Sequence, residues 1–264
     1  MCLIAIAHQA HPSRVLVVAA NRDEYYARPA SQAHFWDDFP AVLAGRDLEA
    51  GGTWLGVDRR GRFAAITNFR AMGEHRHDAP SRGQLVSDFL CANEPAGAYL
   101  DRLARRAQDY NGFNLLMRDD SGLHYLSNRD AAIAPRVLPP GIYGLSNHLL
   151  DTPWPKLVQA KHRFADAIAR ADALESMFPM LSDAEAAGDE LLPDTGLDAQ
   201  RERFLSSIFI ASDTYGTRCS TLLEVTVAHR ARFIERSFGP GGVAGDAVEF
   251  RFDLVQSSTA VPQL

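Results

Sequence analysis

The sequence predicts an α+β protein in which two antiparallel sheets pack against each other between layers of helices. Apolar runs of strand length lie toward both ends of the 264-residue chain, and segments with helical spacing lie between them. Turn residues such as Pro12 and Gly61 separate neighbouring runs closely enough for antiparallel hairpins. Strands from both ends of the sequence, with helices between them, suit two packed sheets flanked by helical layers.

The first two predicted strands form a hairpin whose open end carries polar residues. Residues 2–7 and 14–20 are near-continuous apolar runs, and a charged cluster follows the second run at once. A hairpin of this length returns the end of its second strand to the start of its first. We therefore expect Arg22 and Asp23 to lie close to Cys2.

The remaining predicted elements are further strand pairs and three helices. Hairpins are expected from residues 52–57 with 62–67, and from residues 113–117 with 122–126. Helical spacing occurs at residues 82–90, 94–108 and 153–173, and the last helix has Thr152 as its predicted cap with proline at its first position. Three closing strands are expected at residues 220–228, 231–237 and 247–254.

The composition fits a compact enzyme better than a nucleic-acid-binding or membrane protein. Hydrophobic residues make up 46% of the chain and charged residues 23%, and no linker divides it, so one domain over residues 1–264 is expected. The net charge of −6 argues against a nucleic-acid partner, because phosphate binding needs clustered Lys and Arg. No apolar run approaches the ~18–20 residues of a membrane span.

Cellular location is predicted from the first strand and from cysteine usage. The first strand has neither the basic segment nor the cleavage site of a secretory signal. Cys2, Cys91 and Cys219 are scattered and odd in number, which suits a reducing compartment rather than a disulfide framework. We therefore expect a cytoplasmic protein.

Cys2 directly follows Met1, and this position predicts a nucleophile. Methionine aminopeptidase removes an initiator methionine before a small residue, which would leave a thiol and a free α-amine on Cys2. An α-amine with a reference pKa of about 7.7–8.0 can accept the thiol proton near neutral pH. The alternative is that Cys2 is a small buried apolar residue, as free cysteine often is.

Arg22 and Asp23 have roles that suit such a nucleophile. An arginine beside the thiol would lower its pKa, and a carboxylate beside the α-amine could orient the amine and hold its proton. The alternative is an ion-paired strand end. Because adjacent residues of an extended strand point to opposite sides, we expect only one of Arg22 and Asp23 to face Cys2.

These residues, together with later motifs, resemble the NRDE family over nearly the whole chain. The motifs that carry the resemblance are Cys2 and residues 20–29, 44–47, 51–56, 64–70, 110–115, 144–147, 152–157 and 215–218. The family is similar in fold to the N-terminal-nucleophile hydrolases. The resemblance therefore implies a four-layer αββα sandwich of two antiparallel sheets, N-terminal-nucleophile-hydrolase-like, in a single NRDE-type domain.

Three further site residues are predicted. Asn68 ends a predicted strand and could donate a hydrogen bond to an oxyanion. Resemblance to choloylglycine hydrolases and penicillin acylases implies a transition-state donor at Asn147 and an arginine beside the cysteine at Arg218. The alternative for both asparagines is an ordinary turn residue. One departure is that those hydrolases separate the early arginine and aspartate by two residues, whereas Arg22 and Asp23 are adjacent.

Metal and cofactor sites are not predicted. His75, His77 and Asp78 form a short polar segment, but no second cluster has ligand spacing, so a solvent-facing loop is favoured. The glycine pairs are turn signals without a dinucleotide fingerprint or a phosphate-loop lysine. We expect no cofactor, with haem as the exception under the second hypothesis below.

Two functional hypotheses follow. The first is an amidohydrolase for a non-peptide linear N-acyl amide, in which Cys2 attacks the carbonyl and Asn68 and Asn147 hold the oxyanion. Its partner would be a small-molecule amide or acyl substrate. The second is implied by the resemblance, since the family is tied to haem trafficking and to lipid or acyl-CoA metabolism: a non-catalytic binding protein for haem or acyl lipids, with Cys2 as a possible iron ligand. The sequence leaves the substrate and the oligomeric state open.

Overall fold

The structure, a computed structural model, describes residues 2–71, 73–170 and 174–255. Within them the strands are β1 Cys2–His11, β2 Arg14–Tyr25, β3 Ala30–Phe35, β4 Val42–Asp47, β5 Leu55–Asp58, β6 Phe63–Asn68, β7 Phe113–Asp119, β8 Gly122–Ser127, β9 Arg136–Leu138, β10 Gly141–Leu145, β11 Tyr215–Thr226, β12 Arg230–Phe238 and β13 Ala244–Asp253. The α-helices are α1 Gly83–Cys91, α2 Ala96–Ala104, α3 Pro155–Ile168, α4 Phe178–Leu181 and α5 Ala199–Phe204.

The strands form two antiparallel sheets. The first sheet has the order β10-β1-β2-β11-β12-β13, so the N-terminal hairpin lies in its interior beside a strand from the end of the chain. The second sheet runs from β3 to β9 in chain order. The predicted hairpins β1–β2, β5–β6 and β7–β8 are all present, and Gly61, at φ +78°, lies in the turn between β5 and β6.

Three hydrophobic clusters define four layers. One lies between the sheets, one lies between the first sheet and helices α3 and α4, and one lies between the second sheet and helices α1 and α2. This arrangement confirms the predicted α+β, four-layer αββα sandwich. No helix in the described residues is long and apolar enough to cross a membrane.

The two faces of the first hairpin pack against different layers of the fold. Even-numbered residues such as Ile4 and Ala20 pack in the core between the sheets, and odd-numbered residues such as Leu3 and Ala19 pack under α3. Strand alternation therefore places Cys2 on the side of the second sheet.

Several boundaries differ from the sequence prediction. The cluster at 21–24 lies inside β2 rather than after it, because β11 continues to pair along β2 as far as Tyr25. Helix α3 begins with Pro155 and has Trp154 as its N-cap, while Thr152 Oγ1 donates to Leu149 O at 2.8 Å instead of capping the helix. The predicted C-terminal end of that helix, residues 171–173, lies outside the described residues. Strands β3 and β4 were not predicted, since their short runs mix polar and apolar residues.

Candidate active site

A cavity of about 620 Å³ opens at the start of β1. Five of the six sequence-predicted site residues line it, and Asn147 does not. The five are Cys2, Arg22, Asp23, Asn68 and Arg218. Residues from both sheets and from the segment before α1 form its wall, so the site depends on the packing of all these elements.

Cys2 is buried at the cavity wall, with 8% of its surface exposed. Its carbonyl oxygen accepts a hydrogen bond from Ser146 Oγ at 3.0 Å, which fixes the start of β1 to the chain beyond β10. Burial raises the pKa of the Cys2 thiol, and the negative charge of Asp23 acts in the same direction. The charge of Arg22 and the backbone N–H of Asp23 oppose this rise. Because the net pKa change is upward, the thiol needs a base to become a thiolate.

Arg22 lies directly opposite Cys2 in the β1–β2 register and directly opposite Cys219 in the β2–β11 register. Its side chain is mostly buried, with Nη2 at 3.9 Å from Glu24 Oε2 and 4.0 Å from Asp47 Oδ2. These long ion pairs leave its charge able to act on the thiol. Arg22 is therefore the predicted residue that faces Cys2 across the strand pair.

The side chain of Asp23 lies on the opposite face of β2 from that of Arg22, as strand alternation predicts. It is 2% exposed, and its Oδ1 accepts a 2.7 Å hydrogen bond from Thr217 Oγ1 on β11. Burial raises the pKa of the Asp23 carboxyl, whereas the positive charges of Lys156 and Arg22 and the Thr217 hydrogen bond lower it.

Lys156 is a neighbour of the site to which sequence reasoning assigned no role. It is 3% exposed in the first turn of α3, and its Nζ donates to Leu205 O at 2.8 Å. Burial lowers the pKa of Lys156 to about 8, while Asp23 and Cys2 act to raise it. Its position in the 152–157 motif, beside the core residue Leu157 of an amphipathic helix, was the available signal.

The two asparagines occupy different environments. Asn68 ends β6, and its exposed side chain lies at the cavity. Asn147 is completely buried, and its Nδ2 donates to Asn68 O at 3.0 Å. Its own carbonyl accepts from Arg70 N at 2.7 Å. Asn147 thus fixes the backbone of Asn68 from behind the cavity wall, and its oxyanion role stays a prediction.

Arg218 reaches the cavity through a β-bulge in β11. Thr217 pairs with Asp23 and Cys219 pairs with Arg22, so Arg218 is the extra residue between them. The bulge lets Thr217 bond to Asp23 on the side of α3 while Cys219 stays on the side of the second sheet. Arg218 Nη1 donates to the carbonyls of Tyr25 at 2.9 Å, Tyr26 at 3.3 Å and Arg28 at 2.9 Å, and burial lowers its pKa.

Cys219 and Glu235 also line the cavity, and no motif in the sequence pointed to either residue. Glu235 is 3% exposed and accepts from Ala33 N at 2.8 Å and from Thr221 Oγ1 at 3.2 Å. Burial raises the pKa of Cys219 well above its usual range, and Glu235 adds to the rise. Cys2 and Cys219 flank β2 on either side, about two strand spacings or ~10 Å apart, which is too far for a disulfide.

The histidine segment contributes two side chains to the cavity wall. His75 and His77 line the cavity, and their rings meet edge-on with centroids 5.1 Å apart. In the part of the chain that the structure describes, no group of three or more His, Cys, Asp or Glu side chains has the geometry to hold a metal ion. The expected absence of a cofactor stays a prediction.

Comparison with solved structures returns N-terminal-nucleophile hydrolases at low similarity. An N-acylethanolamine-hydrolyzing acid amidase ortholog from Caenorhabditis elegans matches with a TM-score of 0.41 and 10% identity, covering 84% of this chain and 92% of that one. A mutant conjugated bile acid hydrolase from Clostridium perfringens matches with a TM-score of 0.40 and 7% identity, covering 99% and 100%.

Comparison of sequences gives much closer relatives. The Transport and Golgi organization 2 homolog of Mus musculus is 36% identical over 258 residues, covering 90% of this chain and 93% of the relative. The homolog of Bos taurus is 38% identical over 262 residues, with the same coverage, and the Drosophila melanogaster protein is 27% identical over 271 residues. The family named Transport and Golgi organisation 2 matches residues 1–240. With this match and relatives above 30% identity along nearly their full length, the chain belongs to the Transport and Golgi organisation 2 family, as its NRDE motifs predicted.

Proposed function

We propose that this chain is an N-terminal-cysteine amidohydrolase that cleaves a non-peptide linear C–N bond in a small N-acyl amide. The proposal rests on the position of Cys2 at the wall of a cavity of about 620 Å³, directly opposite Arg22 and near the amide side chain of Asn68. A nucleophile, a cation and a hydrogen-bond donor that share one cavity are the parts an acyl-transfer site needs. We place this activity in the cytoplasm, without a resident cofactor.

Removal of Met1 is the first requirement of this mechanism. Burial raises the pKa of the Cys2 thiol, so Arg22 alone leaves it protonated near neutral pH. A free α-amine on Cys2 supplies the base within the same residue. Asp23 lies close enough to influence the thiol, and it would hold the protonated amine in place.

The reaction then proceeds in two displacement steps. The α-amine takes the thiol proton, and sulfur attacks the carbonyl carbon, forming a C–S bond and an oxyanion. Collapse breaks the C–N bond, and the leaving amine takes the proton from the α-ammonium group. Water next attacks the thioester with the α-amine as base, the C–S bond breaks, and the thiol recovers its proton as the carboxylic acid leaves.

The asparagines divide the support of the oxyanion between them. Asn68 presents its side chain at the cavity and is the donor that we assign to the oxyanion. Asn147 donates to the Asn68 carbonyl and so holds the end of β6 in position. We therefore assign Asn147 a positioning role, in which it supports the oxyanion through Asn68 rather than directly.

The decisive experiment combines intact mass with a substrate screen. Mass spectrometry of the native protein should show the loss of one methionine. Wild type, Cys2→Ala and Cys2→Ser are then incubated with an N-acyl amide library, with Cys91→Ala as the matched control. We expect Ala to abolish turnover and Ser to reduce it by two or more decades, equal to about 3 kcal/mol of transition-state stabilisation, while Cys91→Ala retains full activity.

The binding hypothesis gives a different pattern in the same screen. Haem or acyl-CoA would bind wild type stoichiometrically without being consumed, and Cys2→Ala would lose affinity only if sulfur ligates iron. The raised pKa of the buried thiol disfavours the thiolate that such a ligand requires. Tight reversible binding with no Cys2-dependent product would replace the hydrolase proposal by the carrier.

A further inference from the structure

The cavity contains two half-buried arginines, Arg82 and Arg218, that make no ion pair with a carboxylate of the described residues. In the described residues, Arg28 lies 2.7 Å from Asp47 and 3.2 Å from Glu49, and Arg22 has the two longer ion pairs described above. For Arg82 and Arg218, by contrast, no described Asp or Glu oxygen lies within 4.0 Å of the guanidinium. Arg76 also lines the cavity without an ion pair among the described residues, but its side chain is exposed. The half-buried part of the unpaired positive charge therefore belongs to Arg82 and Arg218.

Each of these guanidinium groups uses one nitrogen for hydrogen bonds. Arg82 Nη1 donates to Gly112 O at 2.9 Å, and Arg218 Nη1 donates to the three carbonyls named above. In the described part of the chain, Nε and Nη2 of both residues make no further hydrogen bond. The carbonyls hold the side chains in place, and the remaining N–H groups are available to a ligand.

Partial burial of a charged guanidinium group without a nearby anion costs free energy, and a bound anion would offset that cost. Both residues are half-buried, and burial lowers the pKa of each. Negative charge on Cys2 raises the pKa of Arg82, so the two groups interact electrostatically across the cavity. Arg82 and Cys2 line the same cavity of about 620 Å³, so one small molecule can carry an anionic group to Arg82 and an amide to Cys2.

The two arginines approach the cavity from different layers of the fold. Arg82 is the N-cap residue of α1, which covers the second sheet, and Arg218 lies at the bulge of β11 in the first sheet. Because the two arginines belong to separate elements, a single local turn does not explain why neither of them has a carboxylate partner. Planar N–H pairs of arginine suit bidentate binding of carboxylate or phosphate oxygens.

We propose that Arg82 and Arg218 form an anion subsite, so that the substrate is an N-acyl amide that also carries a carboxylate or phosphate group. This inference rests on the proposed hydrolase function for the placement of the amide at Cys2. The reaction leaves the anionic group and its charge unchanged, because only the C–N bond is broken and only water is added. Its role is to fix the substrate and to select anionic amides over neutral ones.

The test measures binding in the full-length Cys2→Ala variant, which cannot turn substrate over. Isothermal titration compares two matched pairs: N-decanoylglycine with its methyl ester, and N-decanoylphosphoethanolamine with N-decanoylethanolamine. We expect the anionic member of at least one pair to bind 10-fold or more tightly than its neutral partner. The pair that shows the preference identifies carboxylate or phosphate as the anion.

Variants then assign the preference to the two arginines. Arg82→Met and Arg218→Met should each remove most of the preference for the anionic ligand and leave binding of the neutral partner unchanged. Arg105→Met changes an exposed arginine outside the cavity and should preserve the preference. If either variant unfolds, the salt dependence of Cys2→Ala replaces it: affinity for the anionic ligand should fall between 50 and 500 mM NaCl, and affinity for the neutral ligand should not.

Equal affinity within both pairs, no binding of any ligand, or a preference that survives in the Arg82→Met, Arg218→Met double variant would overturn the subsite. These results are distinguishable from failure of the hydrolase. If wild type turns over neutral amides alone, the hydrolase proposal stands and the anion subsite is contradicted. If the anion preference depends on the two arginines but no amide is turned over, the subsite stands and the hydrolase proposal is contradicted.

Discussion

Cys2 and Arg22 are direct partners across the first two strands, and this pairing holds the thiol beside a guanidinium at the cavity wall. Backbone hydrogen bonding between β1 and β2 sets this register. Strand β11 pairs with the other edge of β2, so Arg22 is held between two neighbouring strands. The charge of Arg22 lowers the pKa of a thiol that burial raises. Burial and the charge of Asp23 raise this pKa, and Arg22 is one of the groups that oppose them.

The first prediction is that Arg22→Met makes Cys2 less reactive. Loss of the positive charge should move the pKa of the Cys2 thiol further upward, so alkylation by iodoacetamide should slow by about 10-fold for each unit of pKa increase. The measurement is the pH dependence of the alkylation rate. Arg28→Met is the matched control, because Arg28 lines the same cavity but pairs with Asp47. An unchanged pH profile in Arg22→Met would show that the guanidinium does not act on the thiol.

The second prediction compares the three cysteines of the processed protein. The α-amine base should make Cys2 the fastest to be alkylated. Cys91 should react slowly, since its side chain is half-buried and burial raises its pKa to about 11. Cys219 should react most slowly because its pKa is raised furthest. Peptide mapping after timed labelling reads all three rates, and equal rates at Cys2 and Cys91 would count against an activated nucleophile.

The third prediction separates the two asparagines. Asn68→Ala removes an exposed side chain and should change the free energy of unfolding by less than about 0.5 kcal/mol, while lowering kcat by about 10²–10³. Asn147→Ala leaves the Asn68 carbonyl without its buried donor and should destabilise the protein by about 1–3 kcal/mol. Urea unfolding and steady-state kinetics on both variants give the comparison. Equal stability losses would contradict the different placements of the two side chains.

The fourth prediction concerns Lys156 and alkaline pH. Its pKa is about 8 in the folded protein and about 10.4 when unfolded, so the unfolded chain binds more protons between these values and stability should rise with pH. Relative to Lys156→Met, wild type should gain up to about 3 kcal/mol of unfolding free energy from pH 8 to pH 10.4.

Other groups titrate in the same range, so the difference between wild type and variant is the quantity to measure. Lys161→Met is the matched control, because Lys161 is a partly exposed residue of the same helix with its Nζ 2.7 Å from Asp151 Oδ1. Lys161→Met reports the effect of removing a lysine whose side chain is not buried. A difference between wild type and Lys156→Met that does not change with pH would mean that the buried lysine does not carry a lowered pKa.

The segments that were predicted correctly from the sequence share one property, which is a long and regular pattern of apolar residues. The hairpins β1–β2, β5–β6 and β7–β8 have near-continuous apolar runs separated by turn residues. Strands β3 and β4 lack that pattern and depend on pairing within a seven-stranded sheet. Helix α3 ends at Ile168, before the end that its spacing predicted.

The sequence by itself determined the family, the layered fold and the proximity of Cys2 to Arg22, because motif order and hairpin geometry are local properties of the chain. Only the tertiary structure decided which further polar side chains lie in or beside the cavity. Arg82 and Lys156 come from elements far from Cys2 in sequence, and a bulge in β11 decides on which face Thr217 and Cys219 lie. Burial, pairing of charges and strand register are set by packing between layers, and no local pattern in the sequence encodes them.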